Sequence, residues 1–170
     1  PGLLKRWYEE RQEMQRKMRE CGDNEIEREY WDKRQLVKKI NLNSLYGAIL
    51  NPGCRFFDMR IGQSVTLTGR CITQHMASKV NEVVTGVYDH KGESIVYGDT
   101  DSVYFSAYTT LQKEIKEGVI PWTKDSVVAL YDKIADEVNG SFKSFMTKAF
   151  HTPSTRGEVI AAGRELVASK

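Results

Sequence analysis

The apolar positions of this chain follow helical spacing over most of its length, with one short stretch that alternates instead. Leu3, Leu4, Trp7, Tyr8, Met14 and Met18 recur at helical intervals with Arg, Lys and Glu between them, which predicts a helix over residues 3–20. Cys21-Gly22-Asp23-Asn24 is a stop and a turn. A second helix is expected from Glu25 to Leu50, with Ile26, Tyr30, Trp31, Leu36, Val37 and Ile40 as its apolar side. Two long helices joined by a short connection predict an antiparallel hairpin. About half of its first 39 residues are charged, so it has little apolar surface to bury and is expected to project from a core. Asn51-Pro52-Gly53 breaks the pattern, and Cys54 to Asp58 reads as a short strand or extended link. Residues 61–86 return to helix, with Ile61, Val65, Ile72, Met76, Val80 and Val83/Val84 as the buried stripe. Between Glu93 and Ala107 the period changes to two. Ser94–Tyr97 and Ser102–Ser106 flank the tight Gly98-Asp99-Thr100-Asp101, the pattern of a β-hairpin. Helical spacing resumes over 109–117 and 124–150, with an interruption at Gly140. The expected fold class is α+β: a two-helix hairpin beside a region in which helices pack a β-hairpin.

Composition narrows this little. The 170 residues are 40% hydrophobic and 28% charged, enough for one ordinary domain or two small lobes and too apolar for a disordered chain. No apolar run approaches the roughly 18 residues that span a bilayer, so no membrane partner is expected. The start, Pro1-Gly2-Leu3-Leu4-Lys5-Arg6, has no Met and runs into charges, which fits a piece of a longer chain and not a signal peptide. Cys21, Cys54 and Cys71 are odd in number and lack a C-x-x-C, which fits reduced thiols and a cytoplasmic protein. His75, His90 and His151 stand apart, so no zinc site is expected. Asn139-Gly140-Ser141 is a glycosylation triplet without the secretory context that would use it. Residues 1–79 carry 15 Lys/Arg against 10 Asp/Glu, and residues 80–170 carry 10 against 13. That asymmetry fits a polyanion on one side and a cation on the other.

The candidate chemistry sits at two places. Asp99 and Asp101 put two carboxylates on one tight turn, in a hairpin with no Lys or Arg to neutralise them. Magnesium, which takes one or two carboxylates together with phosphate and water, resolves that repulsion; an ordinary Asp-rich turn is the alternative. On the second helix, Lys39 and Asn43 are i, i+4 neighbours on one face, whereas Lys38 points about 100° away. Lys39 can meet a phosphate as a point charge, and Arg11 on the first helix can meet one with a planar fork. Arg16 is a further contact of the same kind, and a solvated charged face is the alternative for all of these. Tyr46-Gly47 can press a ring and a hydroxyl against a sugar or base where the backbone approaches closely, or Tyr46 can simply be a core residue.

Two sequence blocks carry a resemblance. Tyr97-Gly98-Asp99-Thr100-Asp101-Ser102 between apolar strands is similar to the active-site hairpin of family B DNA polymerases. Upstream, Lys39-Ile40-Asn41-Leu42-Asn43-Ser44-Leu45-Tyr46-Gly47 resembles that family's K-x-x-x-N-S-x-Y-G fingers motif, and Phe56-Phe57-Asp58 with the helix after it resembles the segment between the two. The resemblance covers roughly residues 1–150. It implies template-directed DNA synthesis, with residues 1–50 as the fingers and 51–170 as a partial palm. Asp101 is then the catalytic metal ligand and Asp99 a weaker or supporting carboxylate of a two-metal magnesium site. Arg11 and Lys39 grip the dNTP triphosphate with Asn43 beside them, and Tyr46 meets the nascent base pair and sugar. The implied partners are primer-template DNA, dNTP and the rest of the polymerase: the upstream palm and exonuclease, and the downstream palm and thumb.

The chain also departs from the family. No D-x-x-S-L-Y-P block precedes the fingers, Ser44-Leu45-Tyr46 lacks the Asp and Pro of that motif, and no K-K-R-Y follows the hairpin. The chain is therefore expected to hold part of a two-metal site and to be inactive alone, as a fragment or one piece of a split enzyme. The compact fingers look viral, which would place the protein in the host cytoplasm. Two other classes stand beside this one: a metal-dependent glycosyltransferase-like D-x-D protein, which would need a nucleotide-binding βαβ region, and a non-catalytic helical interaction protein.

Overall fold

The computed structural model of the protein describes residues 2–168; Pro1, Ser169 and Lys170, the outer ends of the two expected domains, lie outside the described residues. In order, the elements are α1 (Gly2–Glu20), α2 (Glu25–Leu50), α3 (Met59–Thr85), β1 (Ile95–Asp99), β2 (Ser102–Phe105), α4 (Tyr108–Lys116), α5 (Lys124–Phe150) and the short α6 (Ser154–Gly157). Mostly helix with one antiparallel two-stranded sheet among the described residues, this is the expected α+β class. The chain divides into two compact units, residues 1–66 and 67–170, and the division falls within α3.

In the first unit α1 and α2 form the expected hairpin, but not with the expected faces. Asn24 starts α2 by accepting from the Glu27 N–H at 3.2 Å, while its amide donates to the Glu27 carboxylate. Among the half-buried positions of α2, Trp31, Gln35, Lys38, Leu42, Leu45 and Ile49 recur at alternating four- and three-residue steps, the spacing of a seam. Facing residues on α1 are Trp7, Glu10, Arg11, Met14, Lys17 and Met18. Lys38 ion-pairs Glu10 and lies over the Trp7 ring, and Lys17 lies 4.6 Å from the centre of the Trp31 ring. Ile26, Tyr30, Leu36, Val37 and Ile40, expected as the buried side, are exposed, Ile26 by 83%; so are Leu3, Leu4 and Tyr8 on α1. The reason is physical. Lysine ammonium groups lie over tryptophan rings while Lys38 meets a carboxylate and Arg11 an amide, so the seam admits polar residues.

Residues 51–58 form turns, and no strand occurs over Cys54–Asp58. Asp58 opens α3 by accepting from the Arg60 N–H at 2.9 Å and pairing with the Arg60 guanidinium, which holds its carboxyl below the usual range. The first turns of α3 are exposed at Ile61 and Val65, against expectation.

The second unit holds the core. Val80 of α3 packs with Ile134, Val138 and Phe142 of α5, and Ile95 and Phe105 of the sheet lie against them. α5 starts at a Thr123/Ser126 capping box and runs to His151 without a break at Gly140, so the expected interruption there is absent. Its buried residues Ile134, Val138, Phe142 and Met146 recur every four positions, which places them on one side of the helix.

Two polar groups are built into this apolar packing. Asn81, 1% exposed, donates to the Val87 carbonyl at 2.8 Å and accepts from both the N–H and the hydroxyl of Ser94. It thereby ties α3 to the start of the β-hairpin. His75 is buried flat against Phe145, with Nε2 2.8 Å from Ser141 Oγ and Nδ1 2.8 Å from the Tyr88 hydroxyl. The Ser141 proton goes to the Val138 carbonyl, so Ser141 accepts from Nε2–H and the bare Nδ1 accepts from Tyr88. Burial, reinforced by the Lys79 charge, lowers the His75 pKa.

Two outcomes follow. A Cβ on Gly92 would stand 2.0 Å from Asn81 Nδ2, and Asn81 is fixed by three hydrogen bonds, so Gly92→Ala should destabilise the chain by about 2–4 kcal/mol in a urea titration. Because the folded state keeps His75 neutral where the unfolded chain takes up a proton, stability should fall as pH drops below about 6.5. Melting curves from pH 7.5 down to 5 should show this loss, and His75→Gln should reduce the slope.

Candidate functional site

The sequence-predicted residues lie in both units, and each group is held by its own element. In the second unit the β-hairpin pairs Tyr97 with Tyr104, Gly98 with Val103 and Asp99 with Ser102, leaving a loop of Thr100 and Asp101. A register shift between Ile95 and Tyr97 marks a bulge. Thr100 has φ +33°, and Asp101 is not among the positive-φ residues. Hairpin loops with positive φ at the first central residue alone normally carry glycine there. A β-branched residue in that region is an outlier, costing about 1–3 kcal/mol.

Three hydrogen bonds hold this tip. The Thr100 hydroxyl donates to Asp99 Oδ1 at 3.0 Å, and the Ser102 hydroxyl donates to the Asp99 carbonyl at 3.3 Å. The Thr73 hydroxyl, on α3, donates to the Thr100 carbonyl at 2.8 Å. Asp99 and Asp101 are exposed, and neither makes an ion pair among the described residues. Asp101 and Thr73 both line a cavity of about 660 Å³, whose lining also includes Met76, Ile134 and Phe142. The donor set suits a hard cation: two carboxylates with free oxygen positions, the number that magnesium commonly takes from a protein. No three His, Cys, Asp or Glu side chains gather around one point among the described residues, so the remaining ligands would come from outside this group.

In the first unit, Arg11 is half-buried and donates from Nε to Gln35 Oε1 at 3.2 Å. Gln35, Lys39, Asn43 and Tyr46 lie within a sector of about 80° on α2, so this bond draws the Arg11 fork to the side that carries Lys39. Lys39 and Asn43 are exposed, and Lys39 has no ion pair among the described residues. Lys38, on its different face, is engaged by Glu10, whose carboxyl it holds below the usual range. Arg16 is gripped by Glu13 and Glu20, each at 2.6 Å, and its pKa is raised by both. A phosphate there would have to displace two carboxylates. Tyr46 is half-buried and its hydroxyl donates to the Gly62 carbonyl at 3.4 Å, while a Cβ on Gly47 would meet nothing within 4 Å.

Sequence reasoning passed over Thr73 and Gln35, and each touches a predicted residue or its turn. The available signal was a polar residue within a packed stripe: Thr73 follows Ile72 and precedes Met76, and Gln35 sits between Trp31 and Lys38 in the seam. The different roles of two adjacent lysines can be measured directly. Lys38→Ala should lower the melting temperature of the helical hairpin, and Lys39→Ala should leave it unchanged.

The chain matches the family model described as DNA polymerase family B over residues 1–146. It is 30% identical to a DNA polymerase of Pyrococcus glycovorans over 170 residues, covering 98% of this chain and 21% of that protein. Over 80 residues it is 41% identical to the DNA-directed DNA polymerase of Escherichia phage RB69, covering 46% of this chain and 9% of that protein. A DNA polymerase alpha catalytic subunit of Arabidopsis thaliana is 27% identical over 145 residues, 84% of this chain and 8% of that protein. The chain thus spans about a fifth or less of the length of these relatives. No solved structure matches it.

Proposed function

Since the chain belongs to DNA polymerase family B, we propose that it supplies the fingers, residues 1–50, and part of the palm, residues 51–170, of an enzyme that joins dNTPs to a primer 3′-hydroxyl on a DNA template. The observation that carries the reading is the hairpin tip, where Asp99 and Asp101 stand exposed and make no ion pair among the described residues. The family match supports it against a D-x-D glycosyltransferase or a non-catalytic interaction protein. Among the described residues no helix is long and apolar enough to cross a membrane. The proposed compartment is the cytoplasm, that of the host cell if the source is viral; phage polymerases are among the relatives.

Nucleotidyl transfer asks a protein mainly for position and charge. Asp101 is assigned to hold magnesium, with Asp99 in support, and magnesium bound there would neutralise triphosphate charge and favour ionisation of the primer hydroxyl. Lys39 contributes a point charge and Arg11 a planar fork to the triphosphate oxygens. Asn43 lies on the Lys39 side of α2 and is assigned to the same nucleotide. Tyr46, its hydroxyl already engaged with the backbone, presents a ring to the sugar and nascent base pair. Two carboxylates are too few for a two-metal site, so the proposal includes a further carboxylate from the rest of the polymerase, and this chain alone is inactive.

The test is made in the complete enzyme. Asp101→Asn should abolish incorporation; activity within about tenfold of the parent, roughly 1.4 kcal/mol of barrier, would overturn the assignment. Lys39→Ala should mainly raise the apparent Km for dNTP, and an unchanged Km would remove Lys39 from the triphosphate.

A further inference from the structure

We propose that Thr73 is a positioning residue for the hairpin carboxylates, holding the Thr100–Asp101 loop in the one conformation that presents Asp101 to its ligand. The inference rests on the reading of Asp101 as a metal carboxylate and adds a residue that the motifs do not contain. Thr73 lies 27 residues before Thr100 and is half-buried on α3. Its hydroxyl has one proton and two acceptors within reach: the Gly69 carbonyl one turn back at 3.2 Å and the Thr100 carbonyl at 2.8 Å. A helical threonine commonly donates to the carbonyl one turn back. Here the shorter contact goes across to the hairpin instead.

That contact lands on the most constrained point of the loop. Thr100 is held at φ +33°, where a β-branched residue does not rest without external support. The Thr73 bond fixes the carbonyl that joins Thr100 to Asp101, so it fixes the orientation of the peptide plane from which Asp101 departs. The Thr100 hydroxyl on Asp99 Oδ1 sets the other carboxylate from the same residue. With the Thr73 hydroxyl gone, the peptide can rotate and Thr100 can relax to negative φ. Asp101 then samples directions away from the cavity wall that it shares with Thr73. Groups that orient metal ligands in this way commonly matter about tenfold or more in affinity.

The experiment uses the 170-residue chain and Mn2+ alone, read by paramagnetic broadening of the Thr100, Asp101 and Ser102 amide signals. Thr73→Val removes the hydroxyl with little change of shape, Thr73→Ala removes it in a good helix former that does not endanger folding, and Thr73→Ser keeps it. The expected result is an apparent Mn2+ affinity about tenfold weaker for Val and Ala and within about twofold of the parent for Ser, with unchanged melting temperatures. Asp101→Asn should eliminate saturable broadening. Parent-like binding by Val and Ala, with Asp101→Asn still defective, would overturn the positioning role and leave the metal reading standing. Equal weakening in Ser, Val and Ala would also overturn it, because the hydroxyl would then be irrelevant. Broadening that persists in Asp101→Asn would overturn the metal reading itself.

Discussion

A two-stranded hairpin is marginal in water on its own, so whatever its tip does depends on what fastens it to the rest of the fold. Here the fastening is done by polar side chains on α3 and not by additional strands. Asn81 fixes the entry to the hairpin through both groups of Ser94, and Thr73, two helical turns earlier, reaches the loop at the far end. The apolar contacts of Val80, Ile95 and Phe105 give the hairpin its adhesion but leave it free to slide. The two hydrogen-bonded points remove that freedom, because a slip of one residue would leave Asn81 buried and unsatisfied. A register shift near Val96 lies between the two anchors.

The helical hairpin obeys a different logic. No residue of α1 or α2 is fully buried, and within the seam the Lys17 and Lys38 ammonium groups lie over tryptophan rings, with Lys38 also paired to Glu10 across the helices. Most of the other charges are tied along their own helix, as in Lys5–Glu9, Arg6–Glu10 and Lys33–Glu29. Exposed pairs of this kind contribute little to stability and are ordinary solvated faces. Exposure alone does not single out Lys39, since Arg19 and Arg28 are equally without an ion pair among the described residues. Its position does: it lies one turn beyond Gln35, the residue that draws in Arg11.

The element order was legible in the sequence because it rests on period and punctuation. The hairpin turn after Cys21, the break at Asn51-Pro52-Gly53 and the change to period two at Ser94 each have a local cause that needs no tertiary partner. The faces of α1 and α2 were not legible, because counting apolar residues assumes an apolar partner. The seam here also takes in Gln35, Lys38 and Glu10. The same assumption hid the roles of Asn81, His75 and Thr73, each of which has a partner at least 13 residues away. Asp99 and Asp101 were visible for the opposite reason. Their mutual repulsion is written within three adjacent residues.

Two departures from local preference meet at one loop of this chain. A sequence shaped only for stability would place glycine or asparagine at position 100, where φ is positive, and would put a lysine or arginine near the two aspartates. This chain has threonine at that position and no basic residue in the hairpin. Strain and unrelieved charge therefore coincide on three consecutive residues, directly above a side chain whose hydroxyl holds them in place. Other departures stand singly: His151 ends α5 at φ +51° and α4 starts without a side-chain cap, whereas α2 and α5 are capped and no buried side-chain polar atom among the described residues lacks a partner. Two unfavourable terms meeting on one loop, strain and unrelieved charge, mark it as a place where something other than folding set the sequence.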